Sequence, residues 1–259
     1  MPLARLLLWL LSLSSLTWCG LSWPNLPGTL ELGLALGGLF LYATIGVFWP
    51  QCGMYGSALA QGKAGTRRIA LTFDDGPHPV TTRAVLELLR AHDARATFFV
   101  LGHKVEAYPE VVREIHAAGH TLGIHGYRHD RLFSLRSPAY ARHQIERTRH
   151  AIARACGVTP DLFRPPVGFA SYRTFLGAEA AAVRIIAWSV RSLDGIRSAD
   201  PNRVAQRVIA HLEDGAIVLL HDAAENDDFT PASIAALPEI LRALRERGLV
   251  TVSVDQLRS

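Results

Sequence analysis

Arg68-Ile69-Ala70-Leu71-Thr72-Phe73-Asp74-Asp75-Gly76-Pro77 reads as a β-strand that runs straight into two adjacent carboxylates and a Gly-Pro turn. Working outward from it, β-rich runs alternate with amphipathic stretches of helical period from about Gly62 onward. Strands are predicted at 68–73, 96–101, 121–124, 161–163, 184–190, 216–220 and 250–254. Helices are predicted at 82–92, 109–118, 138–155, 202–212 and 234–247, with Gly119, Gly157, Gly215 and Gly248 as stop signals. Such alternation indicates a parallel α/β sheet, and seven strand units in so short a stretch favour a small closed or nearly closed barrel.

In a barrel the reactive residues lie where strands end. Asp74 and Asp75 follow the first predicted strand, His125 the third, Arg164 the fourth and His221 the sixth, while Asp194 lies just beyond the fifth. Chance placement would scatter these residues along the chain. An Asp with two His, as in Asp75 with His125 and His129, leaves coordination positions open on a divalent ion, and bound water there can have its pKa drawn down toward about 7. The second Asp is then free to act as a base. His125-Gly126-Tyr127-Arg128-His129 has Gly where the His-Glu-x-x-His metalloprotease helix has Glu, so that reading drops out.

The 259 residues are 49% hydrophobic, and the excess sits at the N-terminus. Between Arg5 and Lys63 the only charged residue is Glu31, and the apolar runs near 6–23 and 30–50 each approach the roughly 20 residues that span a bilayer core. Without a small-residue cleavage site after the first run, retained membrane segments are favoured over a cleaved signal. Trp23, Pro24, Pro27 and Gly28 suit a short interfacial turn between two helices. Basic residues flank both outer ends, Arg5 before the pair and Lys63, Arg67 and Arg68 after it, which predicts cytoplasmic ends in a bacterial-type inner membrane. The division expected is a membrane segment over 1–61 and a catalytic domain over 62–259.

The three cysteines, Cys19, Cys52 and Cys156, make neither a disulfide framework nor a zinc cluster. A net charge of +4 is spread along Arg-rich helix faces without basic-aromatic clusters, so nucleic acid is not an expected partner.

From Arg68 to the C-terminus the chain resembles the polysaccharide deacetylase family, the NodB-homology group also called carbohydrate esterase family four. The residues that carry the resemblance are Thr72-Phe73-Asp74-Asp75-Gly76, His125 with His129, Arg164-Pro165-Pro166-Val167-Gly168, Trp188 to Asp194, and Leu219-Leu220-His221, in the family's order. The resemblance implies a deformed (β/α)7-type barrel, here preceded by the hydrophobic helical hairpin. It implies a divalent metal, commonly zinc, on Asp75, His125 and His129, with Asp74 as general base held by Arg164. It further implies a backbone N–H of Val167 for the oxyanion, His221 as general acid tuned by Asp194, and Pro166, Leu219 and Gly195 against the substrate. Asp222 is expected to cap the following turn.

The chain departs from the family's pattern in three places. Val167 stands where a Tyr is usual, Arg191 where the fourth motif has its first Asp, and Gly195 where it has a Trp. Losing a Trp removes a wall of the order of 200 Å², which predicts a wider acyl or aglycone pocket.

The activity expected is hydrolysis of an N-acyl group, most simply acetyl, from an amino sugar on a membrane glycolipid or lipid-linked envelope precursor. If the orientation is reversed and the site faces the periplasm, peptidoglycan or an exported N-acetylglucosamine polymer is the better substrate. A non-catalytic carbohydrate-binding module on the same scaffold and a non-haem iron oxygenase are the other classes that these residues admit.

Overall fold

The computed structural model describes residues 2–21 and 28–257. Its first two elements are α1 (Leu3–Leu21) and α2 (Thr29–Phe48), which pack on each other, with Tyr42 Oη donating to Ala4 O at 3.0 Å. Both are long and apolar enough to cross a membrane, and of their side chains only the Gly46 position is buried within the protein. The expected turn at Trp23, Pro24 and Pro27 lies outside the described residues.

The remaining strands are β1 (Ala58–Leu59), β2 (Arg68–Asp74), β3 (Ala96–Val100), β4 (Thr121–Ile124), β5 (Leu162–Phe163), β6 (Arg184–Ile186), β7 (Val190–Arg191), β8 (Ile217–His221) and β9 (Val250–Thr251). Around them run α3 (Thr81–Ala91), α4 (Gly102–Ala107), α5 (Pro109–Ala117), α6 (Pro138–Cys156), α7 (Tyr172–Ala180), α8 (Pro201–Ala210) and α9 (Ser233–Glu246). The helix starts follow capping chemistry. Ser137 and Asp200 accept N–H bonds from the first turns of α6 and α8, each with Pro at the first helical position, and Gly157 ends α6 in the left-handed conformation.

All ladders between these strands are parallel, in the order β1-β6-β5-β4-β3-β2-β8-β7, with β9 on β2. Six of the seven β2 residues are buried, as expected of a parallel strand covered on both faces.

The run expected as one strand over 184–190 is divided, and this division closes the ring. β6 pairs with β5, the chain changes partners across Ala187–Ser189, and β7 pairs with β8, which returns to β2. At the change Ala187 N–H donates to Leu59 O at 2.8 Å and Ser189 N–H to Ile217 O at 3.1 Å. β1 lies on the other edge of β6, and just after it Gly62 N–H donates to Gly215 O at 2.8 Å. Residues 58–61, expected on the membrane side of the division at 61/62, are therefore bonded into the seam of the barrel. β1, α4 and α7 were not among the predicted elements; each is short, and β1 consists of two residues whose pairing is set from elsewhere in the chain.

Candidate active site

The parallel ring delivers every expected polar group to one end. Asp74 is the last residue of β2 and sits in register with His221 on β8. His125 and Arg164 follow β4 and β5 directly, their N–H groups bonded to Val100 O and Ile124 O at 2.9 Å each. Asp75 adopts a left-handed backbone at φ 72°, tolerated by Asp, which turns its carboxylate beside that of Asp74. Gly76 is required here, because a Cβ would strike the Asp222 carboxylate.

Asp75 Oδ1 lies 3.5 Å from His125 Nε2 and 3.8 Å from His129 Nε2. These separations are close to the edge of about 3.4 Å expected between ligands of a tetrahedral zinc site with bonds of about 2.1 Å. Asp75 Oδ1 is buried without a hydrogen-bond partner, so it is an unsatisfied acceptor aimed into the trio. His125 Nδ1 bonds to Arg164 O at 2.8 Å, which fixes this nitrogen as the donor and leaves the Nε2 lone pair facing the carboxylate. Burial pulls the His125 imidazole down to about 3, so it is neutral and able to ligate. The three residues thus form a donor set suited to a divalent cation.

Asp74 is committed elsewhere. Its Oδ1 accepts from Arg164 Nη1 at 2.8 Å, and Arg164, fully buried, also donates to Thr72 Oγ1, Ile186 O and Ala187 O and stacks on the Phe99 ring. Burial pushes the Asp74 carboxyl above its ordinary range, and the guanidinium beside it offsets only part of that. A carboxylate held in place, with raised proton affinity, is suited to accept a proton.

His221 Nδ1 lies 2.9 Å from Asp194 Oδ1, and its own N–H donates to Asp194 Oδ2 at 2.7 Å. Ser192 Oγ also donates to this fully buried carboxylate. Desolvation alone would lower the imidazole, but the Asp194 charge and hydrogen bond, with Asp75 and Asp74 behind them, push it up to about 10. The Val167 N–H points at His129 Nε2 over 3.4 Å. Val167 holds a left-handed φ of 60°, which is strained for a β-branched residue.

Asp74, Asp75, His125, His129, Val167, Gly195, Leu219 and His221 all line one cavity of about 360 Å³. Arg164 and Asp194 lie behind its wall, fully buried. Pro166, expected against the substrate, does not line the cavity: it is buried and faces Gly126. Gly195, where the family has a Trp, is exposed on the cavity wall beside the His221 ring, and a Cβ there would come within 2.9 Å of that ring. Trp188 is drawn in by Gly168, where any Cβ would strike the indole. Arg191, exposed on the cavity wall, makes no ion pair among the described residues.

Sequence reading missed Thr72 and Ser192, which hold Arg164 and Asp194, and Glu225, whose Oε2 lies 3.3 Å from His129 Nδ1. Nothing in local spacing links Glu225 to His129. Asp222, expected to cap a turn, is instead buried against Thr82 Oγ1, and its desolvation pushes it up to about 7.

Residues 61–186 match the family model described as polysaccharide deacetylase. The chain is 36% identical over 191 residues to the peptidoglycan-N-acetylglucosamine deacetylase PgdA of Listeria monocytogenes, aligning 74% of this chain with 39% of that protein. It is 35% identical over 203 residues to the chitooligosaccharide deacetylase of a Bradyrhizobium species, aligning 75% of this chain with 92% of that protein. Among solved structures, the family 4 acetyl xylan esterase of Clostridium thermocellum, in complex with a cobalt ion, superposes with a TM-score of 0.67 at 32% identity, covering 73% of this chain and 89% of that one. A cation donor set, a carboxylate clamped by a buried arginine and an Asp-tuned histidine at one end of such a barrel agree with these likenesses, and the chain belongs to the polysaccharide deacetylase family, the NodB-homology group of carbohydrate esterase family four.

Proposed function

We propose that this chain is a metal-dependent carbohydrate N-deacylase that removes an N-acyl group, most simply acetyl, from an amino sugar. The observation that carries this reading is the convergence of the Asp75, His125 and His129 donors, the Asp74–Arg164 pair and the His221–Asp194 pair on one cavity. Asp75, His125 and His129 would hold a divalent ion, zinc being the one expected, which when bound would supply Lewis-acid polarisation of the acyl carbonyl and acidify water. Asp74 accepts the proton of the attacking water, while Arg164 holds its carboxylate in place to do so. The Val167 N–H faces the charge that develops on the carbonyl oxygen. His221 gives its Nε2 proton to the departing amine nitrogen, and Asp194 keeps the ring oriented and protonated until then.

The substrate class proposed is an amino sugar carried on a membrane glycolipid or a lipid-linked envelope precursor. The two apolar N-terminal helices support it, since they read as a hairpin in a bacterial-type inner membrane with the barrel on the cytoplasmic side. In this division the membrane segment covers 1–61 and the barrel domain 62–259, with β1 of the first bonded to β6 of the second. A second reading has an observation of its own: relatives bear the names of peptidoglycan and chitooligosaccharide deacetylases, which fits a polymer substrate and a periplasmic site.

The test is mass spectrometry of products after the wild-type enzyme and Asp74→Asn, both loaded with zinc, are given a membrane lipid extract and, separately, N-acetylglucosamine oligomers. Loss of an acyl mass from a lipid with the wild type alone supports the leading reading. Loss from the oligomers alone moves the assignment to a polymer deacetylase. No loss from either points to a substrate outside these two classes or to the carbohydrate-binding alternative.

A further inference from the structure

The last turn of α2 is fastened to the loop that carries Val167. Ala170 N–H donates to Val47 O at 3.1 Å, and the Phe48 ring meets Phe169 edge-on with centroids 4.6 Å apart. The segment that follows His129 is tied to the same place, because Ser171 Oγ donates to Ser134 O at 2.6 Å and Arg173 Nη1 reaches Leu135 O. Thus the two loops that leave His129 and Val167 run directly from the catalytic cavity to the end of a helix proposed to lie in the membrane.

At that junction the surface is apolar. Phe48, Trp49, Leu132, Leu135 and Tyr172 are all exposed, Leu135 to 67% and Trp49 to 59%. Large side chains of this kind on adjoining loops mark an interaction surface. Four exposed arginines stand on the same two segments, Arg128, Arg131, Arg136 and Arg173. Of these, Arg131 pairs with Glu225 and Arg136 with Asp130, while Arg128 and Arg173 make no ion pair among the described residues. Trp and Tyr beside leucines, edged by cations, is the composition of a segment that sits at the headgroup level of an anionic membrane.

We propose that this rim lies in the headgroup region of the membrane that α1 and α2 span, so that the catalytic cavity stands at the lipid surface and receives its substrate from the bilayer plane. The inference rests on the hairpin reading given under the proposed function and extends it, since a hairpin alone would leave the barrel free to tumble away from the lipid. Continuity with α2 favours a lipid surface over a protein partner for these residues.

The full chain, with Cys19, Cys52 and Cys156 replaced by Ala, is labelled with bimane at Leu135→Cys, Phe40→Cys or Arg242→Cys. Each labelled protein is reconstituted in phosphatidylethanolamine–phosphatidylglycerol vesicles containing nitroxide lipids. Position 40 reports the hairpin and position 242, exposed on α9, is the solvent control. The label at 135 is expected to shift to the blue and to be quenched most by nitroxides near the headgroup, since interfacial apolar faces sit about 5–10 Å into the boundary. A label at 135 that behaves as at 242, while that at 40 is quenched, overturns the proposal and leaves the hairpin standing. Absence of quenching at both 40 and 135 overturns both. A blue shift at 135 without quenching, lost on dilution, would assign the patch to a second copy of the chain and also overturn the proposal. A second variant, Leu132→Ser with Leu135→Ser, is expected to lower kcat/KM for a lipid-borne substrate about tenfold and to leave turnover of soluble oligomers unchanged; equal effects on both would refute the lipid contact.

Discussion

Replacing Asp194 by Asn tests the acid half of the site. The carboxylate accepts from His221 Nδ1 at 2.9 Å and from His221 N–H at 2.7 Å, and its charge is first among the influences that lift the imidazole. Moving an imidazole from 6.5 to about 10 favours the imidazolium by on the order of 5 kcal/mol, at about 1.4 kcal/mol per pH unit. Part of the lift comes from Asp75 and Asp74, and a cation on the donor set would cancel much of that share, leaving Asp194 as the main support in the working enzyme. Asn keeps the shape and one acceptor but removes the charge.

A neighbouring opposite charge is worth roughly 1–3 pH units, so the alkaline limb of the kcat/KM profile should move down by about two in Asp194→Asn. The maximal rate should fall by about 10²–10⁴, the usual contribution of a positioned acid. Because the folded pKa is raised, the stability that this pair contributes is fully present below pH 6.5 and is lost as pH rises through about 10. Urea unfolding of the wild type should show that loss across this window, and the variant should show a smaller loss that is complete at lower pH. The assay is amine release from N-acetylglucosamine oligomers between pH 5 and pH 11, paired with histidine NMR titration. A variant with a low rate but an unmoved alkaline limb and an unmoved His221 titration would refute the tuning argument and leave Asp194 a purely structural residue.

Arg164→Met should destabilise the protein by about 3–5 kcal/mol in urea unfolding, since it strands the buried Asp74 carboxylate; it should also move the acid limb of the rate profile to higher pH, because Arg164 is what holds Asp74 down. A loss of under about 1 kcal/mol would show that the pair is not desolvated as the structure has it. Val167→Gly keeps the N–H and relieves the left-handed strain, so kcat should stay within about tenfold and stability should be unchanged or up to about 2 kcal/mol higher. If activity instead collapses, the valine side chain, not the backbone donor, is the contributor. Asp75→Asn should weaken zinc binding by about 100-fold or more in calorimetry, whereas Asp74→Asn, whose native carboxylate is held by Arg164, should change it less than about tenfold. Equal losses in the two would contradict the division of labour between the neighbouring carboxylates.

The amino-acid sequence by itself determined which residues could do chemistry and that they would meet. Strand-forming runs that end on Asp74, His125, Arg164 and His221 are local patterns, and a parallel ring necessarily brings such ends to one face. The donor set and the two apolar helices were equally legible, because ligand type and hydropathy are properties of the residues themselves. What only the tertiary structure decided is how distant segments meet. The run 184–190 looks like one strand by composition, yet it is split because Leu59 and Ile217, far from it in sequence, accept the N–H groups of Ala187 and Ser189. For the same reason Pro166 is buried against Gly126 and not on the cavity wall, and Gly195 lies on that wall beside the His221 ring. Glu225 came to lie beside His129 across a gap of 96 positions in the chain. Side-chain period reports a residue's neighbours a few positions away, whereas burial and pairing across the barrel are set by contacts that no local pattern encodes.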